Sequence, residues 1–242
     1  MSTKKAYLNV SGLKIEVVRK SIKNLHLAVY PPDGRVRVAA PESMKDDSIR
    51  LAVINKLGWI KKQKKQFASQ SRQTARKYVT GETHYFFGRK YRLSLIEQAR
   101  PSYVKVVGQS KLELSVRPES TVEQREKVVD RWLRDALKLE IQPLIDKWEP
   151  VVGVEVADWG VRRMKTKWGS CKIESKRIWI NLELAKKPVE CLEYIVVHEL
   201  AHLHERNHND RFVAIMDKCL PKWRSLRKLL NSSPLAHEDW TY

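Results

Sequence analysis

The chain has 242 residues, 42% of them apolar and 8% aromatic, which excludes a disordered tail and leaves room for one large domain or two modest ones. No stretch approaches the roughly 18 apolar residues of a bilayer span, so no membrane helix and no membrane partner are expected. The net charge is +19 and unevenly placed: residues 1–150 carry 31 Lys/Arg against 16 Asp/Glu, residues 151–242 carry 16 against 12.

The first forty residues alternate like strands, with period-two runs at Leu8-Val10, Leu13-Ile15-Val17, Leu25-Leu27-Val29 and Val36-Val38. Pro31-Pro32-Asp33-Gly34 is a turn between the last two. After Pro41 the spacing of Ile49, Val53, Leu57 and Ile60 predicts a helix, capped by Asp46 or Asp47. Between Asp47 and Glu82 there is no acidic residue and nine basic ones: Arg50, Lys56, Lys61, Lys62, Lys64, Lys65, Arg72, Arg76 and Lys77. Such a run attracts polyanions, nucleic acid among them, or simply forms a solvated face.

Strand signals return at Tyr85-Phe87 and Tyr91-Leu93-Leu95 around a Gly88 turn, then at Val104-Val106 and Leu112-Leu114-Val116 around Gly108. Thr121 and Gln124 form a capping box for a long helix. Its apolar face runs through Val128, Trp132, Leu133, Ala136, Leu137, Leu144 and Ile145, and Pro150 is expected to stop it. The last ninety residues read as strand (161–168), turn, strand (177–182), helix, loop, helix. Pro188 suits the first turn of the first of these helices, and Leu192, Ile195, Val196 and Leu200 supply its buried stripe. No internal repeat is visible. The elements predict an α+β protein with a β-rich N-terminal half, divided into residues 1–120 with the basic helix and a catalytic region 121–242.

His198-Glu199-Leu200-Ala201-His202 falls within that predicted helix. Residues four apart share a helix face, so His198 and His202 can offer imidazole nitrogens to one metal ion. Glu199 is not a ligand in this arrangement; it leans beside the open coordination position, where a carboxylate can take a proton from water. By residue frequency such a motif arises by chance in roughly one or two sequences per hundred of this length. His208 is the expected third ligand, with Asn207 turning left-handed to end the helix and bring the chain back. Glu205 and Asp217 are the alternatives. His204 points to another face, and His237 lies in a tail with no supporting spacing. Three protein ligands with one position open is the catalytic pattern of a single zinc ion.

Beyond this motif, Lys167-Trp168-Gly169-Ser170-Cys171, Ile180-Asn181-Leu182, and residues 197–203 followed by Asn207-His208 and Phe212 make residues 163–212 resemble the YgjP-like metallopeptidases, relatives of SprT-like proteases among the zincins. That resemblance implies a zincin-like metallopeptidase core, His198, His202 and His208 as zinc ligands, Glu199 as general base, and an edge strand lining the substrate cleft at Trp168, Gly169, Ser170 and Cys171. The related metzincin pattern has Gly where this chain has Glu205, so the turn toward His208 must be made elsewhere. From the residues alone, Gly169 permits close backbone approach, either of a substrate strand or of tight packing under the metal helix, and Cys171 reads as a buried apolar residue.

The expected function is zinc-dependent hydrolysis of peptide bonds in a protein or peptide substrate. The rival is a basic nucleic-acid-binding protein with a structural zinc site, and a combination is a protease recruited to nucleic-acid-bound proteins. Three cysteines (Cys171, Cys191, Cys219) with no CxxC pair suggest no disulfide framework, and residues 1–7 lack the apolar run of a signal peptide, so the expected location is the cytoplasm.

Overall fold

The period-two runs of the first forty residues become β1 (Lys5–Val10), β2 (Leu13–Lys20), β3 (His26–Tyr30) and β4 (Arg35–Pro41) in the computed structural model, which describes residues 5–30, 34–69, 76–164 and 167–232. The Pro31 to Asp33 turn, Arg72 and His237 lie outside the described residues. The four strands form one sheet in the order β1-β2-β4-β3, antiparallel at both flanks and parallel in the β2–β4 centre. Side chains alternate in β4, so Val36, Val38 and Ala40 turn inward to join Ile15 and Val17.

The helix expected after Pro41 is two helices, α1 (Asp46–Ile54) and α2 (Leu57–Ser69). They part at Asn55-Lys56, yet Ile49, Val53 and Ile60 all reach the core with no exposure. Neither Asp46 nor Asp47 caps α1. Lys45 occupies that position without a side-chain bond, and both aspartates lie in the first turn, where negative charge suits the helix N-terminus. Asp46 is also held by Arg19 of β2 at 2.6 Å. Of the nine basic residues, Arg50 donates to the Asn9 carbonyl and Arg76 pairs with Glu82, while Lys56, Lys61, Lys62 and Lys65 stay exposed.

Described residues up to Ser69 form one compact unit and those from Arg76 to Ser232 a second. The second begins with a sheet of identical connectivity: β5 (Thr83–Phe86), β6 (Arg89–Glu97), β7 (Tyr103–Val107) and β8 (Lys111–Val116), in the order β5-β6-β8-β7, with a parallel β6–β8 centre. Its first hairpin turns at Phe87-Gly88, as β1–β2 turns at Ser11-Gly12, and both residues of each turn have positive φ. That is the two-residue turn whose twist matches paired strands. Each sheet also exits through Pro-Glu-Ser, at residues 41–43 and 118–120, toward a helix. The fold thus contains a structural repeat that the sequence hid, because the shared features are turns and connections scattered among dissimilar side chains.

The long helix α3 (Val122–Val152) has the expected capping box, with the Thr121 amide donating to Gln124 and the Gln124 amide to Thr121. Pro150 does not stop it, and Pro143 also lies inside it. A Pro in a helix interior costs about 3 kcal/mol. Against that, Val129, Leu133, Leu137, Ile141, Ile145, Trp148 and Val152 form a buried stripe along the whole length. The stop comes at Gly153, whose φ of 78° is the left-handed conformation glycine tolerates. The boundary expected at residue 120 falls inside this unit, since Leu93, Leu112 and Leu114 share one core with α3.

Residues 161–168 are not one strand. β9 (Asp158–Arg162) ends early, β10 (Gly169–Lys172) follows, and β11 (Arg177–Asn181) lies between them, parallel to β9 and antiparallel to β10. β10 is therefore an edge. A short 3-10 segment, Leu182–Lys186, leads to α4 (Val189–Ala201), for which Pro188 is the N-cap. After α5 (Asp210–Cys219) comes one helix more than the sequence suggests, α6 (Trp223–Ser232). No helix among the described residues is long and apolar enough to cross a membrane.

One buried group gives this unit a pH dependence. His84 is 7% exposed, lies against Tyr78, and approaches Glu82 at 3.4 Å with its Nε2 lacking a hydrogen bond. Burial first, then the charge of Arg76, pushes its pKa down to about 4, with Glu82 opposing and Lys186 adding to the fall. The ordinary value of 6.5 applies when unfolded. Its contribution is therefore complete above pH 6.5 and is lost as pH falls toward 4, at roughly 1.4 kcal/mol per pH unit. Urea unfolding of wild type and His84→Gln at pH 7, 6 and 5 should show the shallower decline in the variant; equal slopes would contradict the assignment.

Candidate metal centre

Helix α4 is buried on nearly every side: Cys191, Leu192, Tyr194 to Val197 and Glu199 to Ala201 are all enclosed. It does not have the single stripe expected. His198 is a half-buried polar position in this surface, as is Glu193, and His202, one turn on from His198, stands at the C-cap. The chain then turns through amides of Leu203, His204 and Glu205, which donate back to the carbonyls of Leu200 and Ala201.

Asn207 is not left-handed, contrary to expectation; no residue in this turn has positive φ. The turn is shaped by Glu205 instead. Its carboxylate accepts the Asn207 amide at 3.2 Å, and its carbonyl lies 3.0 Å from His202 Nδ1. Asn209 then caps α5 by accepting the Phe212 amide. Phe212, 2% exposed, packs its ring within 5.0 Å of the His198, His202 and His208 rings.

The result is convergence. His208 Nε2 lies 3.1 Å from His198 Nε2 and 3.1 Å from His202 Nε2. Nitrogens bound tetrahedrally to zinc at about 2.0–2.1 Å would stand about 3.3 Å apart, so the spacing fits such an ion. The protonation states fit too. Burial, then His202 and His208, pushes His198 down to about 3, leaving its ring neutral. Burial, then His202, lowers His208 as well. A His202 proton on Nδ1, donated to the Glu205 carbonyl, leaves Nε2 free to ligate. Among the described residues, no other His, Cys, Asp or Glu group gathers this way. Glu205 is occupied with Asn207, Asp217 with Arg224 and Trp223, and His204 with the Val152 carbonyl at 2.9 Å.

Glu199 is 4% exposed, and burial pushes its pKa up to about 8 against the opposing charge of Lys167. Gly169 of β10 backs directly onto it: a Cβ there would lie 2.7 Å from Glu199 Cγ and Cδ, and closer still to Oε1. Gly169 thus packs tightly against α4. Cys171 is half-buried, and its thiol is pushed up to about 11 by burial and then by Glu199 and Glu174, so it is no thiolate at neutral pH.

A cleft of about 920 Å³ joins these groups, lined by Lys167 to Glu174 on one side and by Trp223, Arg227 and Leu230 of α6 on another. Trp168, Gly169, Ser170 and Cys171 all border it. Asn181 fixes the approach to β10 by donating from Nδ2 to the Met164 and Lys167 carbonyls at 2.8 and 2.7 Å. Sequence reasoning did not single out Tyr194, Trp223 or Arg227. Only Tyr194 left a trace, since it precedes His198 by one helical turn; its ring stacks on Trp223 at 6.4 Å.

No curated protein matches the chain. Among solved structures, one similar to it is the metallopeptidase zymogen of Pyrococcus abyssi abylysin, at 19% identity and a TM-score of 0.35, with 37% of this chain and 90% of that chain covered. The sequence pattern described as "YgjP-like, metallopeptidase domain" matches residues 23–233, a span that includes the three histidines, Glu199 and the whole of β10, and the chain belongs to that family.

Proposed function

We propose that this metallopeptidase is zinc-dependent, with His198, His202 and His208 holding one ion and Glu199 serving as general base. The observation that carries this is the approach of three imidazole Nε2 atoms beside a buried carboxylate that is not one of them. Bound there, zinc supplies Lewis-acid chemistry, polarising a carbonyl and acidifying water. Glu199, desolvated between α4 and β10, takes a proton from water and returns it to the leaving nitrogen of the peptide. Its elevated pKa suits both halves of that exchange near neutral pH. Trp168, Gly169, Ser170 and Cys171 form the edge on which an extended substrate backbone pairs, as strands add to open sheet edges. The rival of a structural zinc site needs four protein ligands, and three gather among the described residues.

The test is metal content together with proteolysis. Wild-type protein should carry zinc in equal molar amount, and His202→Ala and His208→Ala should lose most of it. Casein cleavage should vanish on chelation and return when zinc is restored. Full zinc retention by both variants, or cleavage that survives complete chelation, would overturn the reading.

A further inference from the structure

The cleft is one-sided in charge. Lys167 and Lys172 flank its β10 wall, Arg206 lies in the turn between the second and third histidines, and Arg227 stands on α6. All four are exposed, and none is ion-paired among the described residues. The contrast on α6 is direct. Arg224, three residues earlier, is paired with Asp217, whereas Arg227 faces the cleft with no counter-charge among the described residues. Among the described residues, the acids bordering the same space are Glu199, which is buried, and Glu174.

Arg227 is also well placed. It follows Trp223 by four residues, so both project from one face of α6. Trp223 is fixed there by stacking on Tyr194 and by its indole donating to Asp217 at 2.7 Å. The guanidinium lines the same cleft as His198, His208 and Tyr194, and Lys167 and Glu199 line it too. Uncompensated cations above the low-dielectric surface of Trp223, Tyr194 and Phe212 concentrate a positive potential where the substrate must lie.

We infer that the cleft prefers peptides carrying Asp or Glu beside the scissile bond, and that Arg227 is the specificity-determining residue that binds this carboxylate. The planar guanidinium suits a two-point grip on a carboxylate, and the neighbouring lysines and Arg206 add attraction during approach. This rests on the peptidase reading above.

The experiment uses zinc-loaded full-length protein and pairs of fluorogenic peptides, identical except for Glu or Gln at each of the two positions on either side of the cleaved bond. For at least one position the wild-type kcat/KM should favour Glu by about tenfold or more at low salt, and the ratio should shrink as salt rises. Arg227→Gln should bring that ratio to within about twofold, and Arg227→Lys should restore part of it. Equal cleavage of every pair by wild type overturns the preference and leaves the peptidase reading intact. A ratio that survives in Arg227→Gln overturns the assignment to Arg227. Failure of the wild type to cleave any peptide overturns both readings together.

Discussion

Glu199→Gln should lower kcat by about a thousandfold while leaving zinc content at the wild-type level. The substitution keeps the shape of a side chain that is 4% exposed and wedged against Gly169, so neither packing nor the three histidines should be disturbed. What disappears is a group able to take a proton and give it back. Zinc analysis and casein cleavage on the same preparation separate the two effects. Cleavage at the wild-type rate would remove Glu199 from the mechanism, and loss of zinc would mean that it ligates instead.

The second large effect should come from a position with no side chain at all. Gly169→Ala would place a methyl group 2.7 Å from Glu199 Cγ and Cδ, inside ordinary contact distance, with both residues buried. Either the carboxylate swings away from its working position or β10 moves off α4. We expect about a hundredfold loss of kcat, because displacement of a reacting group by 1 Å is enough to cost that much. Overpacking should also lower stability by about 1–3 kcal/mol, read from urea unfolding. The φ of Gly169 is not positive, so space alone is at issue. Wild-type kcat in Gly169→Ala would show that the carboxylate has more freedom than its surroundings suggest.

The residues most legible in the sequence were those whose neighbours in space are also near in the chain. His198 and His202 meet because a helix repeats every 3.6 residues, and the capping box at Thr121 acts over one turn. His208 was found from spacing, but the means of bringing it back was not: Glu205 shapes the turn through its carbonyl and carboxylate, a tertiary detail that residue type does not announce. Pro150 misled because local propensity was outweighed by burial of Trp148 and Val152 on either side of it. The helix break at Asn55-Lys56 has no Gly or Pro to mark it. Trp223 and Arg227 were invisible for a different reason. They join the cleft from 25 or more residues beyond the first histidine, and only the packing of α6 on Tyr194 brings them there.

The twin sheets show one chain plan serving two different interiors. The four-strand order with a parallel centre, the two-residue hairpin bend and the Pro-Glu-Ser exit recur in both units, so the backbone route is set by turns and pairing while the side chains decide what each sheet covers. In the second unit Leu93, Leu112 and Leu114 share one core with Leu192 and Val196 of α4, so a cavity cut among those leucines would be felt beneath the three histidines. In the first unit the sheet closes on a small interior of Ile15, Val38 and Ile60, and Lys61, Lys62 and Lys65 of α2 stand on its exposed side.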